Sequence, residues 1–461
     1  MTLKLYDTLT QQKLEFRPMI EGHVKMFVCG PTIYDYSHIG HARTYLVFDM
    51  LARYLRFKGY TVFYLENITD IDDRIIERAN REQVPAKSIS DKYKEAFLED
   101  IKKLDIDSID LYAPATNYIA EIIAQIQVLI SRGYAYETDD GVYFDISKFP
   151  EYGKLSHQTI TSLMAGSRVE INELKKNPLD FALWKKRKPG EPYWSSPWGE
   201  GRPGWHIEDT AITEHYLGTQ YDLHGGGSDL IFPHHECEIA QMEAASGKKP
   251  MVRYWMHTGL LTIEDRRMGK SMGNAINIRD ILKIVRKEVL RFYIFSSHYH
   301  SPLNYSIQSV EESKNSWERI VSVYFTLKSM SKFSSEPNAE LAGQLEKFNV
   351  EFTEAMDDDL NTPKAISVIM NLISWVYKNM NMLTQNDVVA LMQEFENIDS
   401  IFRILPRYSV ETESLVRLVL ELRDRLRKDK NYELSDYIRS ELKKQGITVQ
   451  DTGSGIIWYF S

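Results

Sequence analysis

The first third of the chain alternates short apolar runs with segments of helical spacing. Residues 24–30, VKMFVCG, form an apolar run that ends in glycine and is typical of a buried strand. Residues 44–60, TYLVFDMLARYLRFKGY, carry apolar side chains at helical spacing, and residues 60–68, YTVFYLENI, predict a second strand. A strand, a helix and a strand in this order predict a βαβ unit with a parallel, right-handed crossover.

Residues 137–205 interrupt this pattern, because they are rich in proline, glycine, tryptophan and lysine. We interpret them as an insertion into the α/β fold, after which the apolar runs YLGTQYDLHGGG and MVRYWMHTGLL complete the sheet. From about residue 306 onward, apolar positions follow helical spacing and predict an all-helical rear half. Turn-rich breaks are predicted within it at 331–340 and 406–414.

The composition limits the classes of protein to which the chain can belong. With 461 residues, 43% of them hydrophobic, it can bury a large core. No apolar segment approaches the roughly 18–20 residues that cross a bilayer, and the N-terminus does not read as a signal peptide. The only cysteines, Cys29 and Cys237, favour a reducing cytoplasm. The net charge of −9 argues against a protein that coats nucleic acid without specificity.

Two histidines lie at the start of the first long helical segment, in the sequence His38-Ile39-Gly40-His41. At a helix N-terminus, backbone N–H groups and a positive dipole favour a bound phosphate. Gly40 allows a flat ring to come close to the backbone. These features suit a nucleotide whose α-phosphate is stabilised during attack, and the alternative is a pair of capping histidines without chemistry.

The segment Arg267-Met268-Gly269-Lys270-Ser271 contains GKS, as phosphate-binding P-loops do. A P-loop needs glycine at position 264, where the chain has Glu264. We therefore expect a basic loop in which Lys270 reaches phosphate oxygens, and the alternative is a surface turn.

Residues 224–238, HGGGSDLIFPHHECE, combine a glycine run with several ligand-type side chains. The glycines, among them Gly227, allow close backbone approach, and Asp229 is suited to bind a ribose or a base edge. His234 and Glu238 are four residues apart and share a face if the segment is helical.

Cys29 ends the first strand, and Asp209 follows the insertion in GWHIED. Together with His234 and Glu238 at the carboxyl edge of a parallel sheet, they form a set of side chains suited to hold Zn²⁺. The alternative is a purely structural role for the His/Glu pair.

Six strings resemble the cysteinyl-tRNA synthetase family of class I aminoacyl-tRNA synthetases, over essentially the full length of the chain. They are MFVCGPTIYDYSHIGHART, ENITDIDDRI, GRPGWHIE, DLHGGGSDLIFPHHE, AMDDDLNTP and RKDKNYELSDYIRSELKKQGITVQDT. The resemblance implies an α/β fold, with a Rossmann-like parallel-sheet catalytic domain that carries a connective insertion, followed by an all-α bundle and a small C-terminal anticodon-binding domain. The implied boundaries are 1–120 and 205–255 for the catalytic domain, 121–204 for the connective insertion, 256–310 for a stem-contact region with the RMGKS loop, 311–405 for the bundle and 406–461 for the anticodon-binding domain.

The resemblance also implies a role for each candidate residue. The implied catalytic residues are His38, His41 and Lys270, and the implied ATP-binding residues are His38, Gly40, His41, Gly227, Asp229, Arg267 and Lys270. The implied amino-acid pocket contains Cys29, Thr69 and Trp205, and the implied anticodon contacts are Arg427, Asp436 and Asp451, with Trp458 near the chain end. The implied cofactors are Zn²⁺, for which Cys29, His234 and Glu238 match the family's ligands and Asp209 stands at the position of the fourth, and Mg²⁺ bound with ATP.

The chain departs from the family pattern in its zinc ligands and in its basic loop. The family uses two cysteines, a histidine and a glutamate, whereas position 209 is aspartate in this chain. With one thiolate and two carboxylates, the ligand set is chemically harder than the family's, and the site has a different shape. The family's KMSKS loop is RMGKS here. We hypothesise that Cys237, three residues after His234, partly restores thiolate character near the metal, and the alternative is a small packed residue that binds no metal.

Three functions remain open at this point. The first is a cysteinyl-tRNA synthetase that activates L-cysteine with ATP and charges tRNA, using an aspartate zinc ligand. The second is a paralogue that activates a different small amino acid, or cysteine for a different acceptor. The third is a non-catalytic tRNA-binding module, which the retained His38, His41 and Lys270 disfavour. The anticodon-binding segment favours a tRNA acceptor, and the family expectation is a cytoplasmic monomer without membrane association.

Overall fold

The computed structural model describes residues 2–159, 173–268, 273–336, 340–408, 410–452 and 455–460. The chain divides into two compact units. The first comprises Thr2–Ile281 with Tyr299–Asn304, and the second comprises Leu282–His298 with Tyr305–Ser461. No helix in the described parts of the chain has both the length and the apolar content that crossing a membrane requires.

The elements up to residue 305 belong mainly to the first unit. The strands are β1 Lys4–Asp7, β2 Gln12–Glu15, β3 His23–Val28, β4 Thr61–Ile68, β5 Leu111–Pro114, β6 Ala135–Glu137, β7 Gly141–Phe144, β8 Phe181–Lys186, β9 Gly201–Pro203, β10 Tyr221–Gly227, β11 Val252–Thr258, β12 Leu261–Ile263, β13 Arg266–Arg267 and β14 Leu303–Tyr305. The helices of this unit are α1 Ile39–Phe57, α2 Asp73–Glu82, α3 Ala86–Lys103, α4 Ile119–Ser131, α5 Ile207–Leu217, α6 Glu236–Ser246 and α7 Ile278–Ile281.

A five-stranded, fully parallel sheet with the order β11-β10-β3-β4-β5 forms the centre of this unit. The chain runs outward from β3 to β4 and β5 on one side, and β10 and β11 complete the other side. The strand order therefore reverses between β3 and β10, which is where ligands bind in open parallel sheets. The predicted βαβ unit is confirmed as β3, α1 and β4, although α1 already begins at Ile39.

The central strands are apolar because both of their faces are covered. On β3, the consecutive residues Met26, Phe27 and Val28 are all buried, as expected for an inner strand of a parallel sheet. Gly225 on β10 leaves room for Phe48 of α1, since a Cβ at this glycine would lie 2.3 Å from the phenyl ring. The helix that carries the two candidate histidines is thus packed tightly against the sheet.

A four-stranded antiparallel sheet, β6-β7-β8-β9, lies within the residues predicted as the insertion. Asp73 at the start of α2 joins this sheet to the rest of the unit, because it accepts hydrogen bonds from Lys185 of β8 and Arg202 of β9. Burial opposes ionisation of Asp73, but Lys185 and then Arg202 outweigh it and lower the pKa of Asp73 to about 2.

We expect the Asp73→Asn variant to be less stable than the wild type at neutral pH. The folded-state pKa is below the ordinary 3.8, so the stabilisation is present above that value and is lost as the pH falls toward about 2. Because Asp73 is about half exposed, the difference should be small, on the order of 1 kcal/mol or less. Thermal unfolding at several pH values measures it, with Asp91→Asn, in an exposed ion pair with Lys87, as the control. Equal thermal stability of Asp73→Asn and the wild type at neutral pH would contradict the prediction.

The second unit contains helices followed by a hairpin. The helices are α8 Lys287–Phe295, α9 Ile307–Ser329, α10 Leu341–Asp357, α11 Thr362–Asn379, α12 Gln385–Phe402, α13 Val410–Lys428 and α14 Tyr432–Lys444. The strands β15, Ile447–Thr452, and β16, Gly455–Phe460, pair antiparallel.

The hairpin shows that the prediction of an all-helical rear half was wrong at its end. β15 and β16 are rich in β-branched and aromatic residues, and Ile447 and Val449 pack on Val416 and Leu420 of α13. The predicted break at 406–414 is also too long, since α13 begins at Val410. With these corrections, the predicted fold class is confirmed: a Rossmann-like parallel sheet with an insertion, followed by a helical region. The predicted domain boundaries stay predictions.

Candidate active site and metal cluster

A cavity of about 650 Å³ opens at the carboxyl ends of β3 and β10, where the strand order reverses. Cys29 directly follows β3, and Gly227 ends β10. The cavity wall includes these sequence-predicted residues: Cys29, His38, Gly40, His41, Trp205, Gly227 and Asp229. The parallel sheet therefore brings together side chains that are far apart in sequence, as the topology predicts.

His38 and His41 form a reciprocal cap at the N-terminus of α1. The backbone N–H of His41 donates to Nδ1 of His38 over 3.3 Å, and the backbone N–H of His38 donates to Nδ1 of His41 over 3.2 Å. The two rings stack at 3.7 Å. Because each Nδ1 is an acceptor, each neutral ring carries its proton on Nε2. The cap thus fixes the tautomer of both rings, so capping and chemistry are compatible roles.

The basic loop is anchored next to this cap on both sides. A Cβ on Gly40 would lie 2.9 Å from the side chain of Met268, the second residue of the loop. After the loop, Ile278 donates a backbone hydrogen bond to Ser37, and Ile39 donates one to Ile276, each over 2.9 Å. Lys270 lies outside the described residues, as does the side chain of Arg267. Their predicted roles stay predictions.

Three of the four candidate metal ligands, Asp209, His234 and Glu238, have ligand atoms close enough together to hold one metal ion, and Cys29 lies against His234 and Asp209 of this trio. Nε2 of His234 lies 3.0 Å from Oδ2 of Asp209, 3.1 Å from Oε1 of Glu238 and 3.4 Å from Sγ of Cys29. Sγ of Cys29 lies 3.3 Å from the same Asp209 oxygen. All four side chains are buried. His234 is therefore the centre of a compact group of one thiol, one imidazole and two carboxyls.

The chemistry of this group fits a divalent cation. Within the described part of the chain, neither buried carboxylate oxygen of Glu238 has a partner in hydrogen-bonding geometry, although Nε2 of His234 lies 3.1 Å from one of them. Burial, and then the nearby carboxylates of Asp209 and Glu238, raise the pKa of the Cys29 thiol well above its usual value. Burial, and then Asp209 and Glu208, raise the pKa of Glu238 as well. Buried acids of this kind bind a metal by exchanging their protons for it, and thiolate, imidazole and carboxylate are all ligands of Zn²⁺.

Further aromatic and imidazole rings surround the cluster. The ring of Trp205 stacks on that of His234 at 4.3 Å, and Nδ1 of His206 lies 2.8 Å from Nδ1 of His234. Nε2 of His224 lies 3.4 Å from Oε2 of Glu238. Burial lowers the pKa of His206 and His224 well below the usual value, so these rings are neutral. Neither histidine was predicted as a site residue from the sequence, although both stand next to predicted site residues, in GWH and LHGGG, and this position was the available signal.

Thr69 is buried, and its hydroxyl donates to Glu208, the neighbour of Asp209 in the chain. The Thr69 hydroxyl also lies 3.4 Å from the Asn67 amide. Its predicted role in the amino-acid pocket stays a prediction.

Cys237 is buried in the core, and its Sγ lies 3.2 Å from the hydroxyl of Tyr152 in the insertion. Among the described residues, it belongs to none of the groups of side chains whose ligand atoms converge closely enough to hold one metal ion. This placement favours a packed residue over a metal ligand.

The candidate anticodon-binding residues lie in the second unit. Arg423 binds Asp451 through two hydrogen bonds of 2.8 Å, and Arg427 binds the same carboxylate over 2.6 Å. The hydrogen bonding of Arg423, with a smaller effect of Arg427, lowers the pKa of Asp451 to about 2. Trp458 stacks on Tyr408 at 5.1 Å. Asp451 therefore holds Arg427 at the surface, and base contacts by Arg427, Asp436 and Asp451 stay predictions.

Comparisons with known proteins agree with this geometry. Residues 15–315 match a family described as tRNA synthetases class I (C) catalytic domain, and residues 351–405 match a DALR domain. The cysteine–tRNA ligase of Thermococcus gammatolerans is 45% identical over 472 residues, which cover 99% of this chain and 99% of that protein. The cysteine–tRNA ligase of Thermoplasma volcanium is 45% identical over 458 residues, again covering 99% of both.

Among solved structures, the methionyl-tRNA synthetase of Mycobacterium tuberculosis in complex with methionyl-adenylate shares the fold. It superposes with a TM-score of 0.61 at 15% identity, over 83% of this chain and 88% of that one. At this identity the likeness concerns the fold alone, and the sequence relatives carry the finer assignment. The near-complete matches in sequence show that the chain belongs to the cysteine–tRNA ligase family of class I tRNA synthetases.

Proposed function

We propose that the protein activates L-cysteine with ATP as cysteinyl-adenylate and transfers the cysteinyl group to the 3′ end of the tRNA specific for cysteine. One observation carries the proposal beyond family membership. Cys29, from the group of ligand-type side chains, and the histidine pair at the start of α1 line the same cavity. An amino acid held at that group thus lies beside a nucleotide phosphate held at the helix N-terminus.

Cys29, Asp209, His234 and Glu238 are the residues that would hold the zinc ion. A zinc ion held there would supply a coordination position for the substrate thiolate, which serine cannot offer at neutral pH. An ordinary pocket separates such close analogues by only about 1–3 kcal/mol. Trp205, which stacks on His234 and lines the cavity, forms an apolar wall for the small side chain.

The chain's own residues position ATP for attack. The Nε2–H groups of His38 and His41, with the positive end of α1, stabilise the charge that develops on the α-phosphate. The cysteine carboxylate attacks the α-phosphorus in line, and we assign to Lys270 the stabilisation of the departing pyrophosphate. Gly227 and Asp229, on the same cavity wall, accommodate the adenosine. In the second step the terminal ribose hydroxyl of tRNA attacks the carbonyl of the adenylate, and AMP leaves with its phosphate taking up the proton.

The tRNA would meet the second unit through Arg427, Asp436 and Asp451, Mg²⁺ would enter with ATP, and the chain would act as a monomer. Both cysteines are free thiols, which agrees with a reducing cytoplasm.

ATP–pyrophosphate exchange by zinc-loaded protein, across a panel of amino acids that includes cysteine and serine, tests the first step. We expect exchange with cysteine and none above background with serine. Charging of tRNA transcripts, with and without the anticodon of the cysteine tRNA, tests the second step. Exchange with a different amino acid, or none with cysteine, would mean that the aspartate at position 209 has redirected the enzyme.

A further inference from the structure

Asn67 connects the end of β3 with the aspartate of the metal cluster. It lies on β4 and is fully buried. Its Oδ1 accepts the backbone N–H of Gly30 over 2.6 Å, and its Nδ2 donates to Oδ1 of Asp209 over 2.5 Å. Asn67 and Asp209 are 142 residues apart in the chain, so only the fold brings them together.

The orientation of the Asn67 amide follows from these partners. The backbone N–H of Gly30 can only donate, so it must face the amide oxygen, and the NH₂ group then faces Asp209. Gly30 makes this approach possible, since a Cβ at that position would lie 1.8 Å from the backbone oxygen of Asn67. The amide is thus fixed by the main chain and is not free to flip.

The fixed amide determines which Asp209 oxygen reaches the other ligands. Oδ1 is occupied by Asn67, whereas Oδ2 faces Sγ of Cys29 at 3.3 Å and Nε2 of His234 at 3.0 Å. We infer that Asn67 is a positioning residue that holds Asp209 as a one-oxygen metal ligand. The inference rests on the metal cluster of the proposed function. The Asn67 hydrogen bond explains how the Asp209 carboxylate can act as a metal ligand where the family has cysteine. A hydrogen bond to the second oxygen of a ligating carboxylate fixes its orientation.

Metal affinity measured by competition with a chromophoric chelator, using Zn²⁺ and Co²⁺ alone, tests this role without any activity assay. We expect Asn67→Ala to weaken binding of both ions about 10–100-fold, the usual effect of losing such a supporting hydrogen bond. Asn67→Asp keeps an acceptor for Gly30 but places an oxygen against Asp209, and it should lose at least as much. The matched control is Asn304→Ala, which removes a hydrogen bond of the same kind, from an asparagine amide to the carboxylate of Asp265. Neither residue belongs to the metal cluster. The Asn304→Ala variant should bind both ions as the wild type does.

A double-mutant cycle separates positioning of Asp209 from general support of the fold. In an Asp209→Cys background the Asn67 amide has no carboxylate to orient, so Asn67→Ala should there change Co²⁺ affinity little. Equal losses in both backgrounds, or wild-type affinity in Asn67→Asp, would overturn the inference. Thermal unfolding of the metal-free variants shows whether they fold. If Asn67→Ala does not fold, the same metal-affinity measurements are made on Asn67→Asp.

The outcomes distinguish this inference from the proposed function. If the wild type binds metal and the Asn67 variants bind it weakly, but no amino acid supports exchange, the positioning role stands and the function fails. If cysteine supports exchange while the Asn67 variants keep wild-type metal affinity, the function stands and the positioning role fails.

Discussion

Replacing His38 by asparagine is expected to lower the rate of ATP–pyrophosphate exchange about 10²–10³-fold, the usual effect of removing one donor that stabilises transition-state charge. Asparagine is among the best N-cap residues, so the variant keeps an acceptor for the His41 N–H at the start of α1. It lacks the ring Nε2–H that we assign to the α-phosphate. The substitution therefore separates the chemical role of His38 from its capping role.

The thermal stability of His38→Asn and its metal affinity should both stay near wild type, because the cluster around His234 does not include His38. His38→Ala should show the same loss of exchange together with a loss of stability of about 1 kcal/mol from the missing cap. His23→Asn, at an exposed histidine at the start of β3, is the matched control and should exchange normally. A His38→Asn protein that exchanges at the wild-type rate would refute the role of the ring and leave only the cap.

The sequence predicted the parts of the site that depend on local pattern and on sheet topology. Cys29 and Gly227 each lie at the carboxyl end of an apolar run, and parallel strands bring such ends to one edge. His234 and Glu238 meet because four residues make slightly more than one helical turn. Cys237, three residues after His234, was hypothesised to reach the same metal, but its short side chain contacts Tyr152 instead. Spacing on a helix identifies a shared face only approximately.

Contacts between distant segments left no signal in the sequence. Asn67 belongs to the string ENITDIDDRI, which carries the family resemblance but no chemical motif, and its partner Asp209 lies beyond the entire insertion. The C-terminal hairpin was missed because its β-branched residues follow directly on two helices, with no long break between them. In both cases the decisive interaction is packing or hydrogen bonding between segments that are distant in the sequence. The spacing of apolar residues within one segment gives no information about such contacts.

The second large effect is expected at Arg43, one half-turn beyond His41 on α1. Its guanidinium is buried and donates to the backbone carbonyls of Gly259 and Leu260, over 2.7 and 3.0 Å. It also donates to the carbonyls of Tyr299, over 3.2 Å, and Ser301. One side chain thus ties the helix that carries both histidines to the segment that leads into β12 and to the segment 299–304.

Arg43→Met should destabilise the first unit by roughly 3–5 kcal/mol, because four backbone carbonyl oxygens lose a charged donor at once and the guanidinium they held is buried. The reporter amides are those of Gly259 and Leu303, whose hydrogen bonds to Tyr299 and Leu260 join the two segments. Their hydrogen exchange should accelerate strongly, and Arg43→Lys should restore only part of the protection, since a compact ammonium cannot span four carbonyls.

The matched control is Arg17→Met, at an arginine whose side chain is 73% exposed, and we expect it to leave these amides protected. Unchanged protection in Arg43→Met would show that the two segments hold together without the guanidinium. Accelerated exchange confined to these amides, together with slower pyrophosphate exchange, would instead show that Arg43 fixes the segment leading into β12 relative to the histidine cap. The second result would link a buried arginine, which touches no substrate, to the geometry on which phosphate stabilisation depends.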